Sequence, residues 1–67
     1  MAKNIKVWFD EEADFLEVTF EEAPGYMRET DRDEVMARVA MDGRVIGFQI
    51  LGVSRLKGPP LEASLVA

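Results

Sequence analysis

The chain contains no cysteine and no histidine among its 67 residues. Disulfides and thiolate chemistry are therefore excluded, as is imidazole, the side chain that most often serves as a general base or metal ligand near neutral pH. A serine triad is impossible without histidine. No glycine-rich phosphate loop precedes a helical pattern. The residues present thus predict a protein that is not an enzyme and holds no cofactor.

Long apolar segments and excess positive charge are also missing. No run reaches the roughly 18 apolar residues of a membrane span, and the N-terminus lacks the apolar core of a signal peptide. Thirteen acidic residues against eight basic ones give a net charge of −5, which repels a phosphate backbone. We therefore expect a cytoplasmic protein that binds neither nucleic acid nor membrane.

Apolar residues alternate in two runs near the N-terminus, which is the pattern of half-buried strands. A four-residue loop from Asp10 to Ala13 places the apolar sides of both runs on one face and pairs Val7 with Leu16. Asp10 suits the start of such a loop, because its carboxylate accepts backbone N–H bonds. This hairpin has predicted strands at about 3–9 and 14–20.

A second hairpin is predicted around the dipeptide Asp42-Gly43, which favours a two-residue type I′ turn. That turn pairs Val39 with Ile46 and brings the apolar residues of 34–41 and 45–51 to one face. Gly47 then lies opposite Arg38, where a glycine indicates a bulge or a close approach of another chain. Two independent hairpins that satisfy register and turn chemistry together indicate a consistent fold.

The remaining segments complete one small domain. Residues 26–30 form a candidate short strand, and residues 52–56 a helical turn or a strand end. The prediction is a mainly β protein, an antiparallel β-meander of four to five strands with a short C-terminal helical or irregular segment. Residues 1–58 are assigned to this domain, and residues 59–67, which follow the Pro59-Pro60 breaker, to a tail or short arm.

Two motifs resemble the small prokaryotic domain-of-unknown-function family 2283. The run DEEADFLEVTF, from Asp10 to Phe20, is similar to the opening hairpin of that family, and Asp14 falls in its Glu-Ala-Asp motif. The run DGRVIGFQIL, from Asp42 to Leu51, is similar to its second half. Gln49 replaces the glutamate usual in the family, and Gly52-Val53-Ser54 replaces an Asp-Ala-Ser-like run. The resemblance covers about residues 5–56 and implies a fold rather than an activity.

The acidic residues cluster in two predicted turns, at 10–14 and 29–34. Glycoside hydrolysis needs a carboxyl group with a raised pKa in a cleft, and one small sheet offers little room for a cleft. Calcium suits oxygen ligands better, but neither cluster has the EF-hand spacing. We therefore expect solvated turns without a metal, in which Asp10, Asp14, Asp42 and Gly43 have structural roles.

The aromatic pair Trp8 and Phe15 should lie opposite each other on the second face of the sheet, where either the C-terminal segment or another chain covers them. The main face needs a cover as well, since a sheet buries its apolar side against something. Two sheets packed face to face as a homodimer satisfy this need. The candidate interface residues are Trp8, Phe15, Ile46 and Phe48. The alternative is an antitoxin-like regulatory domain that masks a small basic protein.

Overall fold

We describe residues 4–66 of a computed structural model. The described residues form five strands, within the predicted four to five, and the segment after the last strand forms one short turn of 3₁₀-helix. Their bounds are β1 Lys6–Asp10, β2 Phe15–Thr19, β3 Gly25–Glu29, β4 Val35–Ala40, β5 Val45–Leu51 and the turn Val53–Arg55. The predicted start of the first strand at residue 3 lies outside the described residues.

The five strands form a single antiparallel sheet, which confirms the mainly β class. The strand order is β1-β2-β5-β4-β3, and it corrects the predicted meander at one step. Strand β2 is followed in sequence by β3, yet in the sheet it lies between β1 and β5. The connection through Glu21 and Pro24 therefore carries the chain across to the far edge. This order leaves β1 at one edge and β3 at the other.

The first hairpin has the predicted loop length in a shifted register. Val7 pairs with Val18, whereas the prediction paired it with Leu16. The four-residue loop is 11–14 instead of 10–13. Asp10 still organises it, because its Oδ1 accepts the N–H groups of Glu12 and Ala13 at 3.1 and 3.2 Å. The shift moves the partner by two residues, so the apolar faces still coincide.

The second hairpin departs from the predicted type I′ turn. Gly43 donates its N–H to the carbonyl of Ala40 at 2.9 Å, and Ala40 donates to Arg44 at 2.8 Å. Gly43 has φ 95, whereas Asp42 is not in the left-handed region. A three-residue loop with glycine at its left-handed position thus replaces the two-residue turn.

A β-bulge accompanies this loop and corrects the predicted pairing of Val39 with Ile46. Arg38 pairs with Gly47 as predicted, but Val39 pairs with Val45, so Ile46 is the extra residue. A Cβ atom on Gly47 would lie 2.5 Å from the carbonyl oxygen of Val18. The glycine is therefore required by the close approach of β2 within the same sheet, as well as by its place beside a bulge.

The two faces of the sheet differ in composition. The row Val7, Val18, Phe48 and Ala37 runs across four strands and defines the apolar face. The row Trp8, Glu17, Gln49 and Met36 defines the second face. The buried core residues are Val18, Val35, Ala37, Val39, Ala40, Ile46 and Ile50.

The C-terminal segment 59–66, here called the arm, lies against the apolar face. Leu61, Ala63 and Leu65 line an open groove of about 310 Å³ together with β4 and β5 residues. Leu65 forms an antiparallel bridge with Thr30 at the end of β3, and Asp31 donates its N–H to the carbonyl of Ser64 at 2.8 Å. The arm thus covers the β3–β5 part of the apolar face, a second layer that the sequence did not predict.

Candidate functional site

Strand β1 carries an uncovered apolar surface. Its side chains on the apolar face belong to Ile5, just before the strand, and to Val7 and Phe9. They are 61%, 64% and 50% exposed. The groove under the arm is lined by other residues of this face and by none of these three. We call these three side chains the β1 patch. They lie on the face that the sequence analysis expected to be covered.

The outer edge of β1 is open as well. Phe20 donates its N–H to the carbonyl of Ile46, and Gly52 donates to the carbonyl of Asp14. Backbone bonding alternates along an antiparallel pair, so even-numbered residues of β2 bond β5 and odd-numbered residues bond β1. The even-numbered residues of β1 therefore bond β2. The backbone groups that point to the open edge are those of Ile5, Val7 and Phe9.

The aromatic pair is present on the second face, with one correction. Trp8 lies opposite Glu17, and Phe15 lies opposite Asp10, so the two rings are diagonal neighbours. Their centroids are 5.9 Å apart in an edge-to-face arrangement. Trp8 is 54% exposed. Because the arm lies on the apolar face, it is not the cover of this pair.

The other two candidate interface residues, Ile46 and Phe48, are covered mainly by their own chain. Ile46 is only 1% exposed, because the bulge directs it into the core. It therefore offers no surface to a second chain, which corrects its assignment. Phe48 is half-buried, lies against Phe20 with ring centroids 5.8 Å apart, and lines the groove under the arm. Its cover comes mainly from its own chain.

Asp14 joins the first loop to the turn after β5. Its carboxylate accepts the N–H of Ser54 at 3.0 Å and the hydroxyl of Ser54 at 2.6 Å. Its carbonyl accepts N–H bonds from Gly52 and Val53. These bonds from Ser54 lower the pKa of the Asp14 carboxyl, with a smaller effect from Arg55. Asp14 adopts φ 54, a left-handed conformation that aspartate tolerates better than most residues.

The two acidic clusters meet at one end of the sheet, because both loops lie at that end. Ala13 and Asp14 line a shallow depression with Asp33, Glu34 and the cation Arg55. Within residues 4–66, no group of three or more acidic residues is arranged to hold a metal ion.

Glu34 bonds Arg32 at 2.9 Å, and this bond lowers the pKa of its carboxyl. This end of the sheet is therefore an exposed acidic surface with the guanidinium groups of Arg32 and Arg55 among its carboxyl groups.

Asp42 and Arg44 lie in the β4–β5 loop, at the opposite end of the sheet. The Arg44 guanidinium bonds Asp42 at 2.8 Å and both carboxylate oxygens of Glu21 at 3.1 Å. The hydrogen bond from Arg44 lowers the pKa of Asp42, while Glu21 and Asp42 raise the pKa of Arg44. These bonds join the β2–β3 connection to the β4–β5 loop.

Comparison with known proteins identifies the family. In the part of the chain that the structure describes, no helix has the length and apolar character to cross a bilayer. No curated protein and no solved structure matches the chain. The model of the family described as "Protein of unknown function (DUF2283)" matches residues 6–54, from the start of β1 to the serine that bonds Asp14. This match spans most of the sequence and confirms the resemblance, and the chain belongs to the DUF2283 family.

Proposed function

We propose that the protein is a self-associating interaction module whose partner is a second copy of the same chain. The observation that carries this proposal is the β1 patch, three large apolar side chains that stand together on an edge strand and are at least half-exposed. Large apolar surfaces left open on small domains usually mark contact sites. The second copy is preferred over an unrelated partner because β1 carries Lys6 and Asp10, which oppose each other when two β1 strands pair antiparallel.

The size of the chain supports the same proposal. A domain of about 60 residues buries only about 60% of the surface of its unfolded chain, and its stability is marginal. The chain has neither cysteine nor histidine, so disulfides and histidine-based metal sites cannot add stability. Each large apolar side chain contributes roughly 1.5–3 kcal/mol only when it is fully buried. Association through the β1 patch recovers burial that the single chain forgoes.

The proposal includes no catalysis. A general acid needs a carboxyl group whose pKa is raised toward neutrality. The carboxyl groups with shifted pKa, Asp14, Glu34 and Asp42, are all shifted downward by hydrogen bonds and remain ionised. The groove under the arm is lined by aliphatic and aromatic side chains and by Thr30. These features favour an interaction role.

A second candidate function is the masking of a small basic protein. The observation that favours it is the exposed acidic end of the sheet, where Glu11, Glu12, Asp31 and Asp33 lie in adjoining loops. Such a surface attracts a basic partner in a salt-dependent manner. A pull-down with the purified chain, repeated with all four acids changed to serine, tests this candidate. Capture of the same basic protein by both forms would contradict it.

Light scattering after gel filtration tests the main proposal. We expect the unmodified chain to have twice the mass of one 7.5 kDa chain at micromolar concentration. Val7→Asp should give a one-chain mass and a lower thermal midpoint, because Val7 is exposed in the single chain and its replacement removes the pairing while the core stays intact. Met41→Asp is the matched control, since Met41 is still more exposed but lies in the β4–β5 loop. A one-chain mass for the unmodified protein would overturn the proposal.

A further inference from the structure

We infer that two copies pair antiparallel through the open edges of their β1 strands, with Trp8 opposite Trp8 on a two-fold axis. The inference rests on the proposed self-association and specifies its geometry. The two five-stranded sheets then join into one continuous sheet. The arrangement is isologous, so each copy contributes the same surface and the assembly closes at two chains.

The backbone N–H and C=O groups on the outer edge of β1 are available for this pairing. The odd-numbered residues direct their N–H and C=O groups away from β2, as the alternation of the β1–β2–β5 ladders requires. With Trp8 on the axis, Val7 of each copy lies opposite Phe9 of the other. Both residues have unpaired backbone groups on this edge, so each such pair exchanges two N–H···O bonds. Addition of a strand to an open edge is a recurrent mode of recognition.

The charges of β1 select this register. When Trp8 lies on the axis, the residue two positions before it lies opposite the residue two positions after it in the other copy. Lys6 of each copy therefore lies opposite Asp10 of the other. Opposite charges directly across an antiparallel pair are stabilising, and like charges are destabilising. Lys6 bonds Glu22 in the single chain, and both side chains are about two-thirds exposed. The Lys6 ammonium group can therefore also contact Asp10 of the second copy. The pairing forms two such contacts.

Other registers lose this complementarity within the strands. With Phe9 on the axis, Lys6 lies opposite Glu12, which belongs to the loop beyond the end of β1. A shift that places Val7 on the axis keeps the backbone bonds but puts Lys6 opposite Trp8 and Asp10 opposite Asn4. A parallel in-register pairing puts Lys6 beside Lys6 and Asp10 beside Asp10, and like charges on neighbouring strands are destabilising. The antiparallel register centred on Trp8 is therefore the one in which backbone direction and charge agree.

The pairing also extends both faces of the sheet. On the apolar face, the β1 patches of the two copies become neighbours, and Val7 contacts Phe9 of the second copy. On the second face, the two Trp8 rings meet across the axis, each already in contact with Phe15 of its own chain. Aromatic pairs across adjacent strands stabilise a sheet. Face-to-face packing over the apolar sides would instead leave the Trp8 rings on opposite outer surfaces.

A single introduced cysteine tests the axis, since the chain has none of its own. In this register Trp8 occupies a non-hydrogen-bonded pair with Cα atoms about 4.5 Å apart, within the range of a disulfide. Trp8→Cys should form a covalent dimer under mild oxidation. Lys6→Cys should not, because two copies of residue 6 are four residues out of register. An equimolar mixture of Lys6→Cys and Asp10→Cys should cross-link, because these positions oppose each other.

Charge reversal tests the register without removing Trp8. Lys6→Glu places two acids opposite each other and should weaken the dimer, and Asp10→Lys should do the same with two cations. An equimolar mixture of the two variants should form a heterodimer at least ten-fold tighter than either homodimer. Lys57→Glu makes the same charge change outside the strands and is the matched control, for which we expect the affinity of the unmodified chain.

The outcomes separate this geometry from self-association in general. A two-chain mass for the unmodified protein, with cross-linking at Trp8→Cys and recovery in the charge-reversed mixture, supports the pairing. A two-chain mass with neither cross-linking nor recovery overturns the edge pairing and leaves self-association standing through another surface. A one-chain mass overturns both.

Discussion

Asp14 and Ser54 lie 40 positions apart in the sequence and are joined by two hydrogen bonds, of 3.0 and 2.6 Å. The first belongs to the loop between β1 and β2, and the second to the turn after β5. Together with the carbonyl of Asp14, which accepts N–H bonds from Gly52 and Val53, these contacts hold the two halves of the chain at one end of the sheet. Each half contains one of the two motifs of the family.

The Ser54 hydroxyl should therefore contribute measurably to stability. Ser54→Ala removes the 2.6 Å bond to Asp14 and leaves the backbone bond, so we expect a lower thermal midpoint without loss of fold. Ser64→Ala is the matched control, because Ser64 bonds Asp31 through its backbone N–H and Asp31 bonds its carbonyl. Equal midpoints for the two variants would contradict this role of the Ser54 hydroxyl.

The stability of the fold should decline in acid. The pKa values of Asp14, Glu34 and Asp42 are lowered in the folded chain by bonds from Ser54, Arg32 and Arg44. A carboxyl whose folded pKa lies below its unfolded value stabilises the fold fully above the unfolded pKa, roughly 4, and ceases to do so as pH falls through the folded pKa.

Thermal unfolding as a function of pH measures this effect. We expect a nearly constant midpoint between about pH 5 and 8 and a falling midpoint below about pH 4. The decline should be smaller in Ser54→Ala, whose Asp14 has lost one of its hydrogen bonds. A midpoint that rises on acidification would show that mutual repulsion of the acidic loops outweighs these contacts.

Gly43 should be required for its conformation rather than for space. Its φ is 95, and no atom lies within 4 Å of the position that a Cβ would take. Gly43→Val should lower the free energy of unfolding by at least about 1 kcal/mol, because a β-branched residue resists positive φ. Gly43→Asn should be milder, since asparagine tolerates this region. Denaturation in urea measures both, and equal losses would indicate a steric cause.

The arm should stabilise the sheet through Leu65. This side chain is half-buried, lines the groove and belongs to the bridge with Thr30. Leu65→Ala should cost roughly 1–2 kcal/mol, less than a fully buried leucine. The adjacent Val66 is exposed, so Val66→Ala should change stability by no more than about 0.5 kcal/mol. Similar losses in urea denaturation would show that the arm does not pack as described.

The sequence predicted what depends on local pattern. Period-two alternation located the strands, and the last strand has the predicted bounds, Val45–Leu51. Asp10 organises the first loop as predicted, but the loop at Gly43 has three residues instead of the predicted two-residue type I′ turn. Registers were less certain because a shift of two residues preserves the faces, as the pairing of Val7 with Val18 instead of Leu16 shows.

Features that depend on distant contacts were not predicted. The β2–β5 pairing joins segments about 30 residues apart, and no local pattern distinguishes it from a meander. It places β5 inside the sheet and β3 at the second edge, so the arm that follows β5 lies on that side of the sheet and leaves Val7 and Phe9 exposed. Ile46 was misassigned because a bulge is a tertiary adjustment, and the bond between Asp14 and Ser54 has no periodic signal.

The thermal midpoint of the unmodified protein over a hundred-fold dilution tests the central claim, that association through β1 completes the stability of the fold. If folding and pairing are coupled, the midpoint falls on dilution. An unfolding enthalpy of about 0.7 kcal/mol per residue for two chains gives a fall of roughly 10 °C. A midpoint that does not change with concentration would contradict the claim and would mean that the arm and the five strands suffice alone.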